Sequence, residues 1–137
     1  MDNDLNYGEY DNKPSSNYVS FGKAIKLYFK NFVNFKGRAS KSAYWWARLF
    51  RALIASSLVL LCYIPYLNVL GLILSIVVGI GFFLGDISLD VRRLHDIGLH
   101  GTYLLKALIP FAGPIIVFVK MFKGSDGDNQ WGPRVSA

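Results

Sequence analysis

The stretch that decides the fold is ALIASSLVLLCYIPYLNVLGLILSIVVGIGFFLG, residues 52–85, in which 34 consecutive residues carry no charged side chain. No polar stripe remains along this run, so it cannot be the solvent-facing helix of a soluble protein. As one straight helix it would be about 51 Å long, whereas a bilayer core is about 30 Å thick. Pro65 lies in the middle of the run and predicts a turn. We therefore expect two membrane-spanning helices, at about 44–63 and 67–87.

A third apolar segment, 103–122, follows a polar stretch but is interrupted by Lys106, Pro110 and Pro114. Proline removes a backbone donor and clashes with the preceding turn, so a helix kinks or breaks there. Because about twenty residues suffice to cross a bilayer, we expect a third spanning helix. A re-entrant segment broken at Pro110–Pro114 is the alternative, and residues 123–137 form a polar tail. The predicted fold class is an all-α membrane protein, with an interfacial helix followed by about three transmembrane helices.

Composition limits the chain to a single membrane domain, which we assign to residues 20–137. The 137 residues are 53% hydrophobic and 18% charged, which is apolar for a soluble domain of this size. Cys62 is the single cysteine, which excludes an internal disulfide and a multi-cysteine metal site. We expect neither a metal ion nor a cofactor. The polar first residues contain no cleavable signal peptide, so the first span is predicted to act as an uncleaved anchor.

The amino-terminal part divides into a polar tail and an amphipathic helix. Residues 1–19 are rich in Asn, Asp, Ser and Tyr, and we expect them to be disordered. Residues 21–35 predict a helix with Ser20 as its N-cap. At about 100° per residue, its apolar residues fall on one side and its lysines on the other. This arrangement is typical of a helix that lies in the membrane interface, and packing against its own domain is the alternative.

Basic residues are concentrated directly before the apolar run. Net charge is +6, and residues 20–51 contain eight Lys or Arg and no acidic residue. Juxtamembrane basic residues remain in the cytoplasm and contact anionic headgroups. We therefore predict a multi-pass plasma-membrane protein with a cytoplasmic amino terminus. The expected partners are anionic lipid headgroups, with a homo-oligomer or another membrane protein as further options; nucleic acid is not expected.

Three motifs in order surround the apolar run. They are Phe35-x-Gly37-Arg38-Ala39-Ser40 leading to Tyr44-Trp45, then Arg92-Arg93-Leu94-His95-Asp96-x-Gly98, and finally Ile109-Pro110-x-x-Gly113 with Gly124-Ser-x-Gly127-x-Asn129-x-x-Gly132. Over about 21–133, this set resembles the domain-of-unknown-function 805 family of small bacterial inner-membrane proteins. The resemblance implies an integral protein of the bacterial inner membrane and implies no activity. Ala43 stands where the family usually has an acidic residue, so half of a helix-start capping box is missing here.

The motifs also supply the candidate site residues. On a continuing helix the carboxylates and guanidiniums of residues 90–96 are close enough to form bidentate pairs. We interpret this group first as a structural ion-pair cluster that closes the cytoplasmic ends of the helices, and second as an anion or headgroup site. We assign no catalytic residue. The residues predicted to bind anions, lipid or a partner are Arg38, Ser40, Trp45, Arg92, Arg93, His95 and Asp96.

Three functions remain open at this point. We favour a non-enzymatic integral membrane protein whose basic cytoplasmic surface binds anionic lipid or a partner protein. An oligomeric channel or transporter subunit would use Gly71, Ser75 and Gly79 for close helix contact, although packing within one chain would use them equally. A lipid-headgroup enzyme would use His95 and Asp96, which lack the repeated ligand spacing of common metal sites.

Overall fold

A computed structural model describes residues 18–135, and within this range every regular element is a helix. The all-α prediction is therefore confirmed for this part of the chain. The predicted disordered tail, residues 1–19, lies outside the described residues except for its last two. The elements in order are α1 (Phe21–Lys30), α2 (Lys41–Cys62), α3 (Asn68–Asp96), a 3-10 helix (Gly101–Leu108) and α4 (Ala112–Lys120).

Helices α2 and α3 form an antiparallel pair joined by a tight turn. The Ser40 hydroxyl caps α2 by accepting a hydrogen bond from Ala43 N at 3.2 Å. The turn contains Tyr66 with a positive φ of 69°, and α3 then begins at Asn68. Close contact follows at once, because a Cβ at Gly71 would lie 3.0 Å from the backbone of Cys62. Glycine at this position lets the two helices approach.

The apolar surfaces of α2 and α3 are not covered by protein. Both helices are long and apolar enough to cross a membrane, yet only 6% and 11% of their most apolar windows are buried. Leu60, Val77 and Ile80 are 66%, 60% and 71% exposed. The core helix of a soluble protein would be mostly buried, whereas a helix in lipid needs no such cover. The two predicted spans in 52–85 are thus present as two lipid-compatible helices.

The third apolar segment does not form one continuous helix over 103–122 but folds back on itself, and the number of membrane spans stays a prediction. It consists of the 3-10 helix and α4, separated by a break in which Phe111 has φ 62°. Lys123 at the far end donates to Ile97 O at 3.3 Å, so both ends of the segment lie beside the end of α3. The reason is the spacing of Pro110 and Pro114, which interrupts the helix. This path agrees with the re-entrant alternative.

Gly113 allows the two arms of this hairpin to pack closely. A Cβ at Gly113 would clash with the carbonyl oxygen of Lys106 and lie 3.1 Å from Ala107 C. Large apolar side chains on the outside of the hairpin remain exposed, including Leu108 at 78% and Phe111 at 90%. The hairpin therefore presents an apolar surface that continues the one on α2 and α3.

Helix α1 is shorter than the predicted 21–35 and is packed differently. It ends at Lys30, where the Asn31 side chain donates to Leu27 O at 3.0 Å. Ala24 and Tyr28, which belong to the predicted apolar face, are buried in the protein together with Leu27, so these two residues do not face the acyl boundary. Val19 was predicted to be disordered, but it is buried and donates its N–H to Ser42 Oγ at 2.9 Å. The buried side of α1 therefore fits the alternative prediction, in which this helix packs against its own domain.

Candidate functional site

Arg38 connects the three sequence motifs. It follows Gly37, whose φ of +80° turns the chain before α2, and it is only 1% exposed. Its Nε and Nη2 donate to Asp96 Oδ1 at 3.1 Å and Asp96 O at 3.0 Å. The remaining N–H groups donate to carbonyl oxygens of the tail, namely Asp126 O at 2.8 Å, Gly127 O at 2.9 Å and Gly132 O at 3.0 Å. All five guanidinium donors are therefore used within the protein.

Asp96 and Arg93 complete this group, which we call the outer cluster: Arg38, Arg93, Asp96 and Ser125. The Asp96 side chain is 0% exposed, and its Oδ2 accepts from Arg93 and from the Ser125 hydroxyl. Arg93 also donates to Ala39 O at 3.4 Å, to Met121 O at 3.2 Å and to Lys123 O. The outer cluster thus joins the start of α2, the end of α3 and the tail in one buried network.

This geometry supports the interpretation of the motif residues as a structural ion-pair cluster. Arg38 and Arg93 direct their N–H groups to protein oxygens, and a surface anion site would need accessible donors. Arg92 is also fully buried, with Nη2 3.4 Å from Asn31 O. A binding role for these side chains stays a prediction that their burial does not favour.

His95 lies at the edge of the outer cluster and contacts the tail. Its Nδ1 is 3.1 Å from Gly37 O, and its ring stacks on Trp131 at 4.4 Å between centroids. Asn129 Nδ2 donates to His95 O at 2.9 Å. Among residues 18–135, no group of three His, Cys, Asp or Glu side chains is arranged to hold a metal ion. The buried Asp96 carboxylate is already paired with Arg38 and Arg93, so the geometry does not support an enzyme that uses His95 and Asp96.

A second group of charges lies nearer the apolar run, and we call it the inner layer: Arg48, Arg51, Asp86 and Asp90. Arg51 Nε donates to Asp86 Oδ2 at 3.1 Å, and Arg48 is paired with Asp90. The four side chains are 17–30% exposed. Asp86 and Asp90 precede Asp96 by ten and six residues, or roughly 15 and 9 Å along a helix. The inner layer therefore lies at the membrane-facing side of the outer cluster.

Two tyrosines hold the acids of the inner layer. Tyr28 on α1 donates its hydroxyl to Asp86 Oδ1 at 2.9 Å, and Tyr44 on α2 donates to Asp90 Oδ1 at 3.1 Å. Burial, with the Asp86 carboxylate beside it, raises the pKa of the Tyr28 hydroxyl, which therefore stays a donor. Gly85 permits this contact, since a Cβ there would lie 2.6 Å from the Tyr28 hydroxyl oxygen.

A cavity of about 390 Å³ opens beside the Arg48–Asp90 pair. Its walls come from α2, α3, the 3-10 helix and α4, and Trp45 is one of the lining side chains. Trp45 packs on Phe122 with ring centroids 4.5 Å apart, and its Nε1 is buried with no acceptor among the described residues. Of the predicted site residues, Trp45 is the one that lines this cavity.

The sequence prediction placed Asp90 in the ion-pair cluster of residues 90–96 but missed its pairing with Arg48 in a separate layer. Arg48, Arg51 and Asp86 are not among the residues that the sequence predicts to bind anions, lipid or a partner. The available signal was that two basic and two acidic residues occupy the ends of neighbouring antiparallel spans. Charged residues at such positions pair with one another inside a helix bundle. Ser125 carried no comparable signal.

Comparison with known proteins gives a consistent result. The profile of a protein family of unknown function, DUF805, matches residues 32–133. Inner membrane protein YhaI of Escherichia coli (strain K12) is 33% identical over 109 residues, which cover 75% of this chain and 86% of that protein. Inner membrane protein YhaH of the same strain is 36% identical over 112 residues, covering 76% and 88%. No solved structure matches the chain at a significant level. The matched region begins after α1 and includes the outer cluster, the inner layer and the cavity, and the chain belongs to the DUF805 family.

Proposed function

We propose that the protein is a two-span inner-membrane protein whose polar end faces the cytoplasm and binds anionic phospholipid headgroups, without a reaction of its own. The observation that carries this proposal is a difference in burial and pairing between the arginines and the lysines. The arginines of the outer cluster are buried and paired, whereas six lysines at the same end of the molecule are exposed. These are Lys26, Lys30, Lys36, Lys41, Lys120 and Lys123.

The exposed lysines have few acidic neighbours. Asp86, Asp90 and Asp96 are engaged with arginines, and of the six lysines Lys123 forms an ion pair, with Asp126 at 3.1 Å. Lysine ammonium groups on long flexible stems contact lipid phosphates when they lie beside a membrane span. The charge that remains available at this end is therefore positive and suits an anionic bilayer surface.

The hairpin supports the same placement. Its exposed apolar side chains, such as Leu108 and Phe111, would be costly in water. Both ends of the hairpin are tied to the outer cluster, so it would enter the acyl region from the cytoplasmic side and return. Exposed Phe21 and Phe29 on α1 are suited to the interface at the same level.

The test compares lipid preference in the wild type and in the variant Lys26→Gln, Lys30→Gln, Lys36→Gln, Lys41→Gln. Each protein is reconstituted with brominated phosphatidylglycerol or brominated phosphatidylethanolamine, and quenching of tryptophan fluorescence gives the relative binding constant. Because a lysine near an anionic surface contributes about 1 kcal/mol, the preference for phosphatidylglycerol should fall at least about fivefold.

The matched control is Lys106→Gln, on the hairpin, where the ammonium lies 4.1 Å from the Tyr103 ring centroid. It should keep the wild-type preference, and an unchanged preference in the fourfold variant would disprove headgroup binding by these lysines. Orientation is checked with Cys62→Ala proteins that carry Asn68→Cys or Gly124→Cys. An impermeant maleimide on intact cells should label position 68 alone, and labelling of position 124 would contradict a cytoplasmic tail.

A further inference from the structure

The cavity beside the inner layer has the size and lining of a ligand site. Its volume of about 390 Å³ falls within the range of about 300–1,000 Å³ that is usual for small-molecule pockets. Leu104, Val117 and Phe118 contribute apolar walls from the 3-10 helix and α4. Phe118 is 55% exposed, so the cavity opens onto the outer, apolar side of the molecule. An occupant can therefore enter from the acyl region of a bilayer.

Polar groups of two lining residues, Trp45 and Arg48, indicate what an occupant would carry. The Trp45 Nε1–H group is buried and has no acceptor among residues 18–135. A buried donor without a partner destabilises the protein, so an occupant that brings an acceptor oxygen would be favoured. Arg48, which also lines the cavity, is 30% exposed and can offer further N–H groups to the same oxygen.

The charge around the cavity is balanced. The inner layer contains two arginines and two aspartates, each arginine lying beside an aspartate. An occupant therefore needs no net negative charge, in contrast to a ligand of the exposed lysines. Arg48 and Asp90 lie just beyond the end of the uncharged run, at the depth where the polar and acyl parts of a lipid meet.

We propose that this cavity binds one glycerophospholipid of the membrane. An ester or phosphate oxygen accepts hydrogen bonds from Trp45 Nε1 and Arg48, and an acyl chain lies between the 3-10 helix and α4. This site is separate from the exposed lysines of the proposed function. It recognises a lipid by its acceptor oxygen and its acyl chain, and not by its net charge.

The test counts the lipid that stays on the purified protein. Wild type and variants are extracted in a maltoside detergent, stripped of loosely bound lipid, and examined by native mass spectrometry before and after adding phosphatidylethanolamine or phosphatidylglycerol. The wild type should retain one equivalent of either lipid. Ala107→Phe places a ring in the cavity and should abolish retention. Ala112→Phe, an equal change at an exposed position of the same hairpin, should retain it.

Trp45→Phe keeps an aromatic ring beside Phe122 and removes the N–H donor together with part of the indole ring. Retention should fall between about twofold and tenfold, the value of one hydrogen bond. This variant decides the matter even where Ala107→Phe fails to accumulate. Equal retention in the wild type, Ala107→Phe and Trp45→Phe would overturn the proposal. Retention of phosphatidylglycerol alone would also overturn it, since that result belongs to the exposed lysines.

Discussion

The outer cluster and the inner layer are built from the same two side chains, arginine and aspartate, on the same pair of helices. In the outer cluster, Arg38 and Asp96 are 1% and 0% exposed, and each guanidinium donor meets a protein oxygen. In the inner layer, Arg48 and Asp90 are 30% and 17% exposed and border a cavity. Two tyrosines and the paired arginines hold the inner acids, but open space remains beside them.

The difference shows that the motif residues and the accessible residues have different tasks. A saturated and buried ionic network leaves nothing with which to bind a ligand, and its loss exposes uncompensated charge. A partly open pair near the membrane retains both its charges and access from outside. The outer cluster is therefore expected to determine whether the protein folds, and the inner layer to determine what the cavity binds.

The largest effect is expected from Asp96→Asn, which leaves Arg38 and Arg93 buried without a counter-charge. Breaking one side of a buried ionic group costs about 3–5 kcal/mol, a large part of the stability of a typical domain. The variant should fail to accumulate in membranes or unfold at a much lower temperature in detergent, measured by immunoblot and thermal unfolding. Asp128→Asn, at an exposed aspartate of the tail, is the control and should behave as wild type. A stable Asp96→Asn protein would show that the outer cluster is dispensable.

A smaller effect is expected from Arg38→Lys, which keeps the charge and loses the geometry. Lysine has three donors on one atom and cannot reach Asp96 together with the carbonyls of Asp126, Gly127 and Gly132. We expect a loss of about 1–3 kcal/mol, the cost of leaving a buried acceptor unpaired. The tail should be released first, so trypsin should cleave after Lys123 faster than in the wild type. Unchanged cleavage would indicate that the tail is held without Arg38.

The smallest effect on stability is expected from the double variant Arg48→Gln, Asp90→Asn in the inner layer. Both charges are removed together, so none is left uncompensated, and the free energy of unfolding should change by less than about 1 kcal/mol. Arg48→Gln alone should destabilise more, because Asp90 then loses its partner. Thermal unfolding of the three proteins in one detergent gives the comparison. A double variant as unstable as Asp96→Asn would remove the distinction between the two groups.

Much of the helical frame follows from local sequence. The uncharged run 52–85 is too long for one span, and the turn around Pro65 divides it. Ser40 stands directly before an apolar helix, a position where serine is a preferred N-cap, and its hydroxyl caps α2. These features depend on residues within a few positions of one another. For the same reason, the ion-pair interpretation of residues 90–96 was accessible, since Arg93 and Asp96 are one turn apart.

The parts that could not be predicted depend on distant contacts. Nothing near Arg38 in sequence indicates that its donors meet carbonyls 88 to 94 residues away. The segment 103–122 has the length of a span, and only its return to Ile97 identifies it as a hairpin. Tyr28 lies on an amphipathic helix whose apolar side could face either lipid or protein. Its hydrogen-bond partner Asp86 is 58 residues further along the chain. Local sequence patterns do not determine which helix surface packs against which other part of the protein.

The bonds from Arg38 to the tail also set an order of events during synthesis. Arg38 emerges early, whereas its acceptor on Gly132 follows 94 residues later. At a rate of protein synthesis of about 5–20 residues per second, that interval is roughly 5–20 s. Once residue 96 has been made, α2 and α3 can pair and Asp96 can accept two of the Arg38 hydrogen bonds, whereas the three donors that later meet the tail still depend on water or phosphate. We therefore expect the hydrogen bonds from Arg38 to the tail to form late, after insertion of α2 and α3. A chain that ends before residue 126 should insert but cannot form these bonds.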